Sequence, residues 1–198
     1  MRISPSIASA DPLRWREALC AVEQGGYRDL HIDIEDGNFI PNITFGMKAV
    51  RAFRRVTALP FSFHLMVNRP STYLEDISEM GASIVFAHVE ALDYPSDFLA
   101  LARKAGLRAG LAFNPKTSPE PLLYLADRLD GVLVLTAEPD GRGQEFLPVM
   151  IAKVRMSTRL FPAAEIWVDG DLSRDCLEEM ERAGATVAVM GRAVFGYS

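Results

Sequence analysis

The stretch HIDIEDGNFIPN, residues 31–42, sets His31, Asp33 and Glu35 two apart within an apolar run. On a strand, alternate residues leave the same face, so an imidazole and two carboxylates line up together. Leu30, Ile32 and Ile34 require burial of the other face. His64 in FSFHLMV, His88 in FAHVE and Asp169 in EIWVDG also stand at or near the ends of apolar runs, and these are all the histidines of the chain. Two imidazoles and two carboxylates, from His31, Asp33, His64 and Asp169, form a competent donor set for one divalent metal ion, Zn, Fe(II), Mn or Co. No compact metal motif such as HExxH is present. Spacing alone therefore leaves a second reading open, in which each histidine is a hydrogen-bonded lining residue.

Groups so distant in sequence meet only on a scaffold whose strands end together. The chain alternates short apolar runs with amphipathic stretches of about 10–15 residues. Strands are expected at 2–7, 28–34, 61–66, 83–88, 107–113, 131–136, 165–169 and 186–190. Helices are expected near 12–24, 46–56, 71–80, 96–104, 119–127, 144–159 and 173–183. Glycine precedes several strands, as in MGASIVFAH and AGLRAGLAF, where a helix ends in the left-handed conformation. Repeated β-α units give either an open doubly wound sheet or a closed barrel. Eight strands, and no glycine-rich fingerprint after the first, favour an α/β TIM (β/α)8 barrel formed by 1–198 as one domain. Only GRAVFGYS follows the last strand, so the eighth helix is expected to be truncated or missing. Val187, Val189, Val194 and Phe195 would then be exposed unless a second subunit covers them, which predicts a homo-oligomer. In such a barrel chemistry gathers at the C-terminal ends of the strands. His31, Asp33, Glu35, His64, His88, Glu90 and Asp169 all fall there.

With 198 residues and a net charge of −5, the chain has length for one good core and the wrong sign for sequence-independent binding to nucleic acid or anionic membranes. Its apolar runs are far shorter than the roughly 20 residues of a membrane helix. The start MRISPSIASAD lacks a basic region followed by a long apolar one, so no secretory signal and a cytoplasmic location are expected. Cys20 and Cys176 stand alone within helical patterns, without CxxC spacing, and are expected to be free, largely buried thiols.

The motifs SPSIASAD, LHIDIEDGNFIPNITFG, FHLMV, AHVEA, GLAFNPKT, VLTAEPDGRGQEF, WVDG and VAVMGRAVF run in order from Ser4 to Phe195. Together they resemble the ribulose-phosphate 3-epimerase family of pentulose- and hexulose-phosphate 3-epimerases; DIED and EPDG are most similar to its uncharacterised SgcE-type branch. The resemblance implies a metal-dependent isomerase with one divalent ion on His31, Asp33, His64 and Asp169, and with Asp33 and Asp169 as the acid/base pair. It implies substrate contacts at Ser6, His64 and Met66. The phosphate of a sugar-phosphate substrate would be gripped by Gly141, Arg142 and Gly143 in the strand-six loop, by Gly170, and by Gly191 and Arg192. Two carboxylates on opposite sides of a substrate suit an epimerisation beside a ketone, one removing a proton and the other returning one.

The chain also departs from that family pattern. Glu35 stands where the resemblance sets a methionine of a sulfur lid, Leu135 replaces a second, and Met66 keeps the third. Asp171 replaces the last glycine of DGG and Asp140 another loop glycine, while Arg142 and Arg192 add cations. Glu35 and Asp171 are thus the candidate determinants of specificity. With Asp33 and Asp169 ionised, a divalent site is neutral, and an ionised Glu35 makes it negative. Glu35 must then be protonated, turned away, or matched to a different substrate. Three functions follow: an epimerase inverting C3 of a ketose phosphate such as ribulose 5-phosphate, an epimerase or isomerase of a different ketose derivative, or a barrel that binds a sugar phosphate without turnover. His88, with Glu90, is expected to be a buried support rather than a ligand.

Overall fold

The computed structural model describes residues 1–140 and 145–196. Strands β1 (Arg2–Pro5), β2 (Leu30–Glu35), β3 (Phe61–Met66), β4 (Ala82–His88), β5 (Ala109–Phe113), β6 (Gly131–Leu135), β7 (Glu165–Asp169) and β8 (Val187–Met190) pair in parallel, in the order β1-β8-β7-β6-β5-β4-β3-β2. A parallel bridge between Ser6 and His31 draws β1 to β2, so the sheet forms a nearly closed barrel. Helices α1 (Trp15–Gln24), α2 (Met47–Arg54), α3 (Leu74–Glu79), α4 (Pro95–Lys104), α5 (Met150–Leu160), α6 (Arg174–Arg182) and α7 (Arg192–Phe195) alternate with the strands. This is the expected (β/α)8 architecture, and α7 is the short helix that the remainder after β8 required. The segment expected as a helix near 119–127 winds as a 3₁₀ helix over Glu120–Arg128.

The strands sort their side chains by face. Leu30, Ile32 and Ile34 of β2 and Phe61, Phe63 and Leu65 of β3 belong to the large core under the helices. Each such burial contributes about 1.5–3 kcal/mol. Inside the barrel, Phe86, Leu133, Leu135, Trp167, Val187 and Val189 form a separate apolar cluster on the β4–β8 side. The β1–β3 side carries the buried polar residues Ser4, Ser6, His31, Asp33, Ser62 and His64. Polar groups taken out of water gain nothing unless paired, so that sector must be hydrogen-bonded within itself or hold something. Trp167 joins the two sectors, with ring centroids 5.1 Å from Phe86 and 6.0 Å from His31. The Arg2 guanidinium lies 4.7 Å over its indole and closes the barrel floor.

Two expectations fail for the same reason, the assignment of a residue to a face. Val187 and Val189 point into the barrel and are 1% and 3% exposed, so they offer no apolar flank to a partner. Cys20 and Cys176 are free, but Cys20 is exposed and Cys176 half-buried. Leu19 and Val22 take the core face of α1 and leave Cys20 on the solvent side.

Candidate active site

Register builds the site. Pairing of β2 with β3 sets His31 beside Ser62 and Asp33 beside His64, while Asp169 ends β7. His64 Nδ1 lies 3.0 Å from Asp33 Oδ1 and 3.3 Å from Asp169 Oδ2. His31 Nε2 lies 3.4 Å from Asp33 Oδ1 and has no hydrogen-bond partner although it is buried. One ligand atom from each of His31, Asp33, His64 and Asp169 falls within 4.8 Å of the others. Two carboxylate oxygens and two imidazole nitrogens converging this closely, one nitrogen orphaned, fit a divalent cation. Asp169 is the open side, with 22% of its side chain exposed where the two histidines have none.

Charge in the cluster is strongly coupled. Burial pushes Asp33 up, but the two imidazoles outweigh it and hold the carboxyl well below the usual range. Burial pushes His64 down, yet hydrogen bonds to Asp169 and Asp33 raise it to about 9. Without a cation, the Nδ1 proton of His64 does the electrostatic work between the carboxylates. His64 then stabilises the metal-free fold fully below its ordinary value near 6.5, and that contribution is lost as pH rises through about 9. A metal must displace this proton. Zinc affinity is therefore expected to rise about tenfold per pH unit up to pH ~9, as read by chelator competition across that range. A flat profile would remove His64 from the ligand set.

Each of the four clustered residues is held from behind. His31 Nδ1 is 2.9 Å from Ser62 Oγ. His64 Nε2 is 2.8 Å from His88 Nε2, and His88 Nδ1 is 3.2 Å from Glu90 Oε2. His88 is thus the buried support expected of it. Burial keeps it neutral, lowering it to about 4, and its hydrogen bond carries Glu90, against burial, down to about 2. Ser6 donates to Asp33 Oδ2, and Thr44 Oγ1 donates to the Asp33 carbonyl at 2.7 Å. Thr136 fixes the end of β7 by donating from N and Oγ1 to the Asp169 carbonyl, at 2.6 and 2.9 Å. Ser4, Ser62, Thr44, Asn42 and Thr136 were not singled out from sequence. Ser4 and Ser62 carried a legible signal, since each stands two residues before a site residue on its own strand face.

A cavity of about 300 Å³ opens over the cluster, lined by Ser6, Asp33, Glu35, Met66, Leu135 and Asp169, and beyond them by Gly170, Asp171, Gly191 and Arg192. Glu35 does not turn away: Asn42 Nδ2 donates to its Oε2 at 2.6 Å. Burial, then the charge of Asp33, raises its carboxyl to about 7. At the far end Gly170 has φ 122°, and a Cβ there would come within 2.6 Å of the Ala137 nitrogen, a close approach that requires glycine. Asp171 follows at φ 49°, a left-handed residue without glycine's freedom, and accepts an ion pair from Arg192 at 2.7 Å. The expected substrate contacts Gly141, Arg142 and Gly143 lie outside the described residues.

The profile of the Ribulose-phosphate 3 epimerase family matches residues 2–195. The chain belongs to the ribulose-phosphate 3-epimerase family. By that membership it is an isomerase acting on carbohydrates. It is 36% identical to the ribulose-phosphate 3-epimerase of Mycobacterium tuberculosis (strain ATCC 25618 / H37Rv), over 98% of this chain and 86% of that protein. It is 35% identical to that of Bacillus subtilis (strain 168), over 100% and 94%. Among solved structures, the tryptophan synthase α-subunit from the hyperthermophile Pyrococcus furiosus superposes with a TM-score of 0.71 at 17% identity, covering 99% of this chain and 88% of that one, which speaks for the barrel alone. In this family member Glu35 and Leu135 line the cavity together with two methionines, Met66 and Met190. Among the described residues no helix is long and apolar enough to cross a membrane.

Proposed function

We propose that this chain inverts C3 of a ketose phosphate resembling ribulose 5-phosphate, with Asp33 and Asp169 exchanging the proton. The observation that carries the proposal is the convergence of His31, Asp33, His64 and Asp169 at the mouth of the barrel, with His31 Nε2 buried and unpartnered. When bound there, a divalent cation supplies positive charge that stabilises the anion formed beside the ketone. Asp33, ionised and steadied by the Ser6 hydroxyl, meets one face of the substrate; Asp169, more open, meets the other. One carboxylate removes the proton at C3 and the other returns one, which inverts the carbon. Ser6, His64 and Met66 contact the substrate. Gly170, Gly191, Arg192 and the 141–143 loop hold its phosphate, and that hold fixes which face each aspartate meets. A cytoplasmic location is part of the proposal, supported by two unpaired cysteines. So is a homo-oligomer, now resting on Leu101, Leu123 and Tyr124, exposed on α4 and the neighbouring 3₁₀ segment.

The test is incubation of the metal-loaded protein with ribulose 5-phosphate in deuterium oxide. The expected result is formation of the C3 epimer with one carbon-bound deuterium. A protein that holds a divalent ion yet exchanges no carbon-bound proton overturns the proposal. Glu35 supports a second reading: a carboxylate facing the cavity fits a different ketose derivative, one that offers it a hydrogen-bond donor. The same exchange measurement over a panel of ketose derivatives decides between them.

A further inference from the structure

Each imidazole of the cluster has a second ring nitrogen, and what that nitrogen meets decides where the ring carries its proton. We propose that two hydrogen-bond chains of fixed direction, Asp29–Ser4–Ser62 and Glu90–His88, hold His31 and His64 in the tautomers that turn a lone pair toward the metal, Nε2 from the first and Nδ1 from the second. The proposal rests on reading the four-residue cluster as a metal site.

Donor counting gives the first chain its direction. Asp29 is buried beside the Arg2 guanidinium, 3.0 Å from Oδ2, and an ionised carboxylate only accepts. The Ser4 hydroxyl donates to the same oxygen at 2.9 Å. Asp29 Oδ1 has no partner, so withdrawing Ser4 would leave a buried charge still more poorly solvated. With its proton committed, Ser4 presents only lone pairs to Ser62, 3.3 Å away. Ser62 must donate, to Ser4 or to the Leu30 carbonyl at 3.5 Å. Either way its own proton is used, and it accepts from His31 Nδ1–H at 2.9 Å. The opposite direction would set the lone pairs of two buried hydroxyls against each other. His31 is left with a bare Nε2, the atom that is buried and unpartnered in the cluster.

The second chain runs the same way from another side of the barrel. Glu90 Oε2 accepts from His88 Nδ1–H, so His88 Nε2 carries a lone pair. One proton fits between two Nε2 atoms 2.8 Å apart, and it belongs to His64. His64 Nδ1 is then the atom that faces Asp33 and Asp169. Ser4, Ser62, His88 and Glu90 are positioning residues. They touch no substrate and act through the ring they orient, and the first chain carries that action from the barrel floor to its mouth.

The test is a double-mutant cycle on zinc affinity with Ser4→Ala and Ser62→Ala, joined to nitrogen-15 spectra of the histidine rings in the zinc-free protein under mildly alkaline conditions. Ser62→Ala is expected to weaken zinc binding about 10- to 100-fold, and Ser4→Ala by a smaller factor. Adding Ser4→Ala to Ser62→Ala is expected to change little further, because a broken chain cannot be broken again. The His31 ring should carry its proton on Nδ1 in the wild type and lose that preference in Ser62→Ala. Glu90→Gln, whose amide can accept or donate, is expected to lower zinc affinity about tenfold by admitting the opposite tautomer of His88. Independent, multiplicative effects of the two serine substitutions overturn the first chain, as does a wild-type His31 protonated on Nε2. Zinc affinity unchanged in Glu90→Gln overturns the second. A wild-type protein that binds no divalent ion sinks the metal reading instead, and the ring spectra still test the direction of the first chain.

Discussion

Asp169→Asn is expected to abolish epimerisation, lowering kcat by about 10²–10⁴ with little change in KM. Asparagine keeps a neutral oxygen at the end of β7 and the same volume, so the Thr136 hydrogen bonds to the Asp169 backbone survive. What is lost is a group that takes and returns a proton. In a two-carboxylate reaction each face of the substrate has its own partner, and removing one leaves the other competent. The variant should therefore still exchange deuterium from solvent into the one epimer whose C3 proton faces Asp33, with retention and without inversion. Asp33→Asn should do the same for the other epimer, with a heavier loss of zinc, because Asp33 lies within 3.4 Å of both histidine nitrogens that face the cluster. Each single variant exchanging both epimers equally would assign the chemistry to one base and defeat the two-aspartate proposal.

The four clustered residues were legible because strand alternation and the strand-end rule need no knowledge of the partner strand. His31, Asp33, His64 and Asp169 share the polar face of apolar strands, with Asp169 at the very end of β7, and a barrel turns such faces toward one another whatever its helices do. Register is different. That Ser62 stands beside His31, and that Ser6 bridges to it, depends on the stagger between neighbouring strands, which a single sequence does not state. The spacing of Ser4 and Ser62 sets them on the site face of their strands, but which residues they touch is not legible until the pairing is known. Val187 and Val189 failed for a related reason. In a fully buried strand both faces are apolar, so the pattern VAVM carries no mark of which side faces the barrel axis. For Cys20 the helical period did carry the answer: Leu19 and Val22 share a face that Cys20 does not. Asp171 shows the converse, a residue whose position was legible while its partner was not. Its left-handed backbone suits the glycine that the family pattern sets there, but its ion pair with Arg192 joins the ends of β7 and β8.

Glu35→Met is expected to raise kcat/KM for ribulose 5-phosphate, by up to about a thousandfold above neutral pH. The carboxyl lines the cavity and is tied to Asn42, so it faces any substrate bound over the cluster. Its raised value, about 7, means that it ionises around neutrality in the metal-free protein, and a bound cation lowers that value and favours the charged form. A negative charge ~4 Å from an anion forming on the substrate costs about 4 kcal/mol at an effective dielectric near 20, close to three powers of ten in rate. The gain should therefore grow with pH through the Glu35 titration and shrink on the acid side, where wild type and variant both present a neutral group. Stability gives a second, independent readout. A carboxyl raised in the fold destabilises it above its unfolded value near 4.5, and fully so above about 7. After discounting for partial exposure, the metal-free variant should gain on the order of 1–2 kcal/mol at alkaline pH and almost nothing in acid. A stability gain without a rate gain would mean that the carboxyl is strained but does not restrict this substrate, and the weight would pass to the reading in which Glu35 receives a donor from a different ketose. Neither gain would mean that Asn42 alone keeps the charge harmless, and that the substitution most unlike the family is neutral for its chemistry.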